Sequence, residues 1–241
     1  MSASLHSRYI KNRNLAFWTG HRKRLIHAIG PDAVVYDNDF VGGPGTDTAF
    51  DTEWTVTRVE GGAGESTVTR TDAIGGALLI TTDAVENDGV NMQLIGASFE
   101  LTADQELYFG AMGLQINDVT QTDFFAGLAV TDTDILGGVT DRIGFESLDG
   151  STDLKFMLEK DSTETLSSSI HTLVDATAID LEFYWDGSGI EVFKNGASIL
   201  TPAVTNLPND VGLRLTLQFL SGETANDTFQ LDRIRVIQIG R

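Results

Sequence analysis

Beyond Pro31 the sequence reads as about twelve to fourteen β-prone stretches of roughly five to eight residues, cut apart by Gly, Asp, Asn, Ser and Thr. Val34–Phe40 leads in, and the stretches then fall at Trp54–Val59, Ser66–Thr71, Ala77–Thr82, Val90–Ile95, Ser98–Leu101, Glu106–Ile116 and Phe124–Thr131. They continue at Arg142–Ser147, Leu154–Lys160, Ala178–Trp185, Gly189–Lys194, Ala197–Leu200, Gly212–Leu220 and Thr228–Ile239, with Ser162–Ser169 as an edge or a loop. Glu106–Ile116 is long and strongly apolar, which predicts a central strand, and Gly110 and Gly113 allow a bend or bulge within it. Asn195-Gly196 between two apolar runs predicts a type I′ hairpin, because both central residues of that turn need positive φ.

No motif repeats at a fixed period of about 20–50 residues, which argues against a solenoid or a propeller. Strands of this length then close on themselves as two packed sheets. The expected fold is all-β, an antiparallel two-sheet jelly-roll β-sandwich. The chain has no cysteine, so stability rests on core packing and sheet hydrogen bonds rather than on disulfides or thiolate metal sites. No apolar run reaches the roughly eighteen residues of a membrane span, and the basic, polar N-terminus does not resemble a secretory leader.

The formal net charge of −19 conceals a step. Residues 1–30 carry Arg8, Lys11, Arg13, Arg22, Lys23 and Arg24 and no acid, or +6, leaving ten basic residues against all 35 acids, or −25. This divides the chain into a basic N-terminal arm, residues 1–30, and a sandwich domain, residues 31–241. An acidic body repels nucleic-acid phosphates and anionic lipid, whereas a basic arm is attracted to acidic protein surfaces, including a neighbouring copy of the same body. The arm lacks strand alternation and reads as extended, with a short helix at His21–Ile29. Exposed Tyr9, Phe17 and Trp18 within a cationic segment call for a surface that buries them, so Arg8, Tyr9, Lys11, Arg13, Phe17, Trp18, Arg22, Lys23 and Arg24 are the expected partner-binding residues. Docking of the arm on its own sandwich is the competing explanation.

The stretch Leu181–Leu200, with its Trp185-Asp186-Gly187 turn and Val192-Phe193-Lys194-Asn195-Gly196 turn, is similar to a hairpin of concanavalin A-like and laminin G-like jelly rolls. The ending Phe229-Gln-Leu-Asp-Arg-Ile-Arg-Val236 resembles the last strand of that superfamily, which returns beside the first. The resemblance spans roughly Asp37 to Ile237 and implies fold more than function. Sandwiches with an N-terminal arm recur among tailed-phage head proteins, and the composition resembles a capsid decoration or cement protein.

Retaining glycosidases on this fold place two carboxyls about 5 Å apart on one strand face, in a Glu-x-Asp-x-x-Glu pattern that this sequence lacks. Glu182 and Glu191 on neighbouring strands read as an outward solvated pair, and Glu146 as ordinary. Thr131-Asp132-Thr133-Asp134 and Asp37-Asn38-Asp39 offer loop carboxylates to Ca²⁺ without forming a complete ligand loop. His6, His21, His27 and His171 lack metal-ligand spacing, and Trp54 and Trp185 read as core residues. No catalytic residue, metal or cofactor is expected.

The sequence therefore leads to a non-enzymatic virion decoration subunit. It would clamp a major capsid protein through residues 1–30, associate with its own copies as a dimer or trimer, and sit on the capsid surface after assembly in the host cytoplasm. The alternative is a carbohydrate-binding, lectin-like module for surface adhesion, with Trp185, Asn91 and Gln93 as its sources of sugar contacts.

Overall fold

Alternating apolar residues can bury one face of each strand only if a second layer covers them, and the chain supplies that layer itself. The computed structural model describes residues 33–41, 50, 52–59, 65–71 and 75–240, and the backbone of residues 6–9 and 15–18. In chain order the strands are β1 (His6–Tyr9), β2 (Leu15–Trp18), β3 (Ala33–Asn38), β4 (Trp54–Val59), β5 (Thr67–Thr71), β6 (Ala77–Thr81) and β7 (Gly89–Leu94). Next come β8 (Glu106–Ile116), β9 (Thr122–Ala129), β10 (Arg142–Ser147), β11 (Asp153–Lys160), β12 (Thr163–Leu166) and β13 (His171–Thr172). The series ends with β14 (Ile179–Trp185), β15 (Ile190–Lys194), β16 (Ala197–Leu200), β17 (Arg214–Ser221), β18 (Thr228–Leu231) and β19 (Arg233–Ile239). Among the described residues there is no helix, hence none long and apolar enough to cross a membrane.

The first large sheet runs β12-β11-β10-β9-β17-β7-β4, with β13 also on β11. The second runs β16-β15-β14-β8-β18-β6-β5, with β19 beside β8 and β3 beside β19. The described pairings are antiparallel, including the long-range pairs of β17 with β7 and β9 and of β19 with β3. The fold is the two-sheet jelly-roll sandwich that the strand pattern predicts, and the last strand does return beside β3.

Phe124, Ala126 and Leu128 of β9, Ile143 and Phe145 of β10, and Leu215, Leu217 and Phe219 of β17 face Leu107, Phe109, Leu181, Phe183 and Val236 across one continuous core. Phe109 stacks on Phe183 at 5.1 Å between centroids, and Phe156 meets Phe183 edge-on at 5.5 Å, the geometries that the ring quadrupole favours. Trp54 and Trp185 belong to this core; their indole N–H groups donate to Tyr36 Oη at 3.1 Å and to the Thr102 carbonyl at 2.9 Å.

The differences from the sequence reading are local. Thr228–Ile239 is broken at Asp232, because β8 changes register against β14 between Ile179 and Leu181 and Gly113 takes φ +65° at that point. The bulge anticipated from Gly110 and Gly113 thus splits the final strand into β18, paired with β6, and β19, paired with β3. Ser98–Leu101 forms no strand, only a bridge from Phe99 to Leu213, and Ser162–Ser169 contains the edge strand β12. Asn195 and Gly196 have φ of 47° and 78°, as a type I′ turn requires.

Where the sequence suggested an extended arm, β1 pairs with β2 as an antiparallel hairpin. Lys11, Arg13, Arg22, Lys23, Arg24 and the His21–Ile29 helix lie outside the described residues.

Candidate functional site

In the first sheet the residues that alternate with the core positions point outward, and on β7 and β17 those residues are polar. Register places Thr55, Gln93 and Thr216 in one row and Thr57, Asn91 and Gln218 in the next. Asn91, Gln93, Thr216 and Gln218 are nonetheless buried, since the segment between β9 and β10 lies over them. Asn91 Nδ2 donates to the Asp132 carbonyl at 2.8 Å and Gln93 Nε2 to the Val130 carbonyl at 2.9 Å. Gln93 Oε1 accepts the Asp132 amide at 3.0 Å. Gln218 accepts the Leu136 amide at 2.9 Å and donates to Asp134 Oδ1 at 2.7 Å. These hydrogen bonds from buried side-chain amides hold the loop in one place.

Apolar contacts complete the attachment. Ile135 and Val139 of the loop pack with Phe125 and Ala129 of β9 in a second small core, outside the main one. Phe125 folds across Gly127, where a Cβ would lie 2.9 Å from its Cζ. The middle of the outward face is therefore filled by the protein's own loop.

Beside that loop, β10 places Arg142, Gly144 and Glu146 on the same outward face. Arg142 Nε donates to Glu159 Oε2 at 2.7 Å, Nη1 lies 3.4 Å from Glu146 Oε2 and also donates to the Ile135 carbonyl at 3.3 Å. Its guanidinium carbon stands 5.7 Å from the Phe125 ring centroid, and Glu164 approaches Nη2 at 3.7 Å. Burial holds the Glu146 carboxyl above the usual carboxylate range; Arg142 offsets this only in part, and Glu164 and Glu159 add to it. Glu146 is thus not an ordinary surface acid, and it shares a buried guanidinium with Glu159 instead of facing another carboxylate across an open cleft.

Between the loop and β4 a pocket of roughly 310 Å³ stays open, lined by Thr55, Thr57, Gln93, Thr131, Asp132, Thr133 and Arg214. Asp132 Oδ1 accepts the amides of Thr133 and Asp134 at 2.7 and 3.1 Å, and Asp134 Oδ1 accepts the Gly137 amide at 3.1 Å. These carboxylates brace their own loop. Among the described residues no group of three or more His, Asp or Glu is gathered as a metal site.

The other sites considered from sequence fall elsewhere. Glu182 and Glu191 do point outward from the second sheet, but Glu182 is buried and accepts a hydrogen bond from the Tyr108 hydroxyl, beside Tyr184, Phe193 and Ile237. The solvated pair expected there is not what forms. Asp37 pairs with Arg233 and Arg235. Trp185 belongs to the other sheet and does not converge with Asn91 and Gln93. Arg8, Tyr9, Phe17 and Trp18 stand on β1 and β2, with Arg8 opposite Ala16, Tyr9 opposite Leu15 and Ser7 opposite Phe17. The Arg142 cluster and the docked loop were missed by sequence reasoning. Their signals were Arg142 and Glu146 at strand spacing i, i+4 and Ile135, Leu136 and Val139 inside a polar loop.

Neither a protein-family model nor a curated protein matches the sequence. Solved structures do match. An endo-1,3-β-glucanase from Streptomyces sioyaensis is similar with a TM-score of 0.62 and 15% identity, over 89% of this chain and 99% of that one. A pseudo β-1,3-glucanase of Mycobacterium tuberculosis, also described as an immunostimulatory antigen, gives 0.56 and 15%, over 86% and 98%. A protein of unknown function from Shewanella oneidensis MR-1 gives 0.58 and 12%, over 88% and 89%. The chain has the concanavalin A-like jelly-roll fold of family 16 glycoside hydrolases, and identities this low speak to the fold alone.

Proposed function

We propose that this protein is a carbohydrate-binding β-sandwich that does not hydrolyse its ligand. The observation that carries the proposal is the division of the outward face of the first sheet. Its buried carboxylates Glu146 and Glu159 are held by Arg142 beside a docked loop, while a polar pocket remains open next to them. A retaining mechanism needs one carboxylate free to attack and a second free to donate a proton, and a shared guanidinium opposes both roles. The likeness in fold to glucanases and to a pseudo-glucanase favours a sugar ligand.

Calorimetric titration with a panel of oligosaccharides, paired with a reducing-end assay, tests this reading. Binding without release of reducing ends is expected. Release of reducing ends that is lost in Glu146→Gln would overturn it.

The capsid-decoration reading rests on the charge step between residues 1–30 and 31–241. In it, the arm residues would engage a major capsid protein and neighbouring copies of the chain. Co-sedimentation with capsid-like particles, with and without residues 1–30, decides it: shell binding that depends on the arm is expected, and no co-sedimentation of the full chain would refute it.

A further inference from the structure

The proposal above leaves the class of saccharide open, and Arg214 narrows it. In a chain with 35 acids and 16 basic residues, a partly buried arginine is expected to find a carboxylate. Arg142, Arg233 and Arg235 each do. Arg214 does not. Its Nε is buried without a hydrogen-bond partner, and no ion pair reaches its guanidinium among the described residues.

An unpaired, partly desolvated guanidinium is costly unless a ligand completes it, and its planar fork of donors matches a carboxylate or a sulfate. The rest of the pocket is built for hydroxyl groups. Thr55 and Thr57 reach it from β4 and Thr131 and Thr133 from the loop, and none of their hydroxyls is engaged in a hydrogen bond among the described residues. Asp132 keeps Oδ2 for a hydroxyl donor while Oδ1 is held by two amides. Among the described residues no aromatic ring lines the pocket, so recognition there is by polar contacts rather than by stacking. Its volume, roughly 310 Å³, falls at the small end of ligand sites, which run from about 300 to 1,000 Å³.

We infer that the pocket between β4, β17 and the Thr131–Thr133 segment binds an acidic saccharide, with its anionic group on Arg214 and its hydroxyls on the threonines and Asp132. This rests on the carbohydrate-binding reading and assigns its ligand class. Because the sandwich is strongly acidic as a whole, long polyanions are repelled and short acidic oligosaccharides are the appropriate ligands.

The test is isothermal titration of the full chain with trigalacturonate, a sulfated trisaccharide and a neutral β-1,3-glucan trisaccharide. Arg214→Lys and Arg214→Ala are measured beside it, and thermal melting confirms that each folds. One or both acidic ligands should bind more tightly than the neutral one, the two acids distinguishing a carboxylate from a sulfate. Arg214→Ala should weaken acidic binding about tenfold or more, the loss of a charge-assisted pair, with Arg214→Lys between. Equal or tighter binding of the neutral ligand, unchanged in either variant, overturns the acidic-ligand inference and leaves the carbohydrate reading standing. No binding of any saccharide overturns both. If Arg214→Ala does not fold, the ligand ranking of the wild-type chain and the Arg214→Lys variant still decide the matter.

Discussion

Replacing Ile135 by Ala asks whether the segment between β9 and β10 is a surface loop or part of the folded body. Ile135 is fully buried although it lies in a polar loop outside the main core, packed with Phe125, Ala129 and Val139. The substitution removes three carbons, which at about 0.8 kcal/mol per buried methylene amounts to roughly 2.4 kcal/mol. A cavity that the loop cannot close raises the loss toward about 4 kcal/mol. Loosening the loop also releases the Leu136 amide and the Asp134 carboxylate from Gln218, and the carbonyls of Val130 and Asp132 from Gln93 and Asn91. Urea unfolding followed by tryptophan fluorescence measures the change, with Trp54 and Trp185 as core reporters. A loss of roughly 2–4 kcal/mol with an unchanged m-value is expected. A loss below about 0.5 kcal/mol, usual for a surface substitution, would refute the claim that the loop is an integral cover of the sheet.

Arg142→Met should cost about 3–5 kcal/mol at neutral pH, since it leaves Glu146 and Glu159 buried without a counter-ion, and chemical denaturation measures it. Glu146→Gln has a pH signature. Burial raises the folded carboxyl above its unfolded value, so the folded chain holds that proton more tightly, and stability falls as pH rises from about 4 through the folded pKa. Melting temperatures measured from pH 4 to 8 should decline less steeply in the variant than in the wild type. For Asp37 the sign is reversed: burial alone would raise its carboxyl, but Arg233 and Arg235 overcome this and hold it below the usual range. Its contribution is present above the unfolded pKa and lost as pH falls through the folded one, so Asp37→Asn should destabilise by about 0.5–1 kcal/mol at pH 7 and low salt, and by less below about pH 4. Gly113→Ala should cost on the order of 2–3 kcal/mol by thermal unfolding, because φ is +65° and the new Cβ would sit 2.7 Å from Asp232 Cβ.

The strand pattern, the hairpin turn at Asn195-Gly196 and the sandwich itself were legible in the sequence because each follows from local rules. Apolar alternation has a period of two, and a tight turn needs residues that accept positive φ. The bulge at Gly113 was legible as a possibility, but its consequence, the break at Asp232 that hands β19 to β3, depends on what β8 pairs with on each side.

The site was far less legible. Glu182 reads as a solvated acid from its strand position, yet its burial beside Tyr108 comes from residues far away in sequence. Glu146 and Glu159 lie four and seventeen residues from Arg142 along the chain; that one guanidinium serves both depends on the register of β10 against β11. The open pocket joins Thr55, Gln93, Asp132 and Arg214 from four separate segments, and nothing in any one segment marks it. What the sequence by itself determined is the one-dimensional pattern of which residues face inward, because side-chain alternation is a property of each strand alone. Which outward-facing polar groups became buried, paired or left free was decided only by the tertiary structure, because hydrogen bonds and ion pairs depend on distances that chain order does not contain.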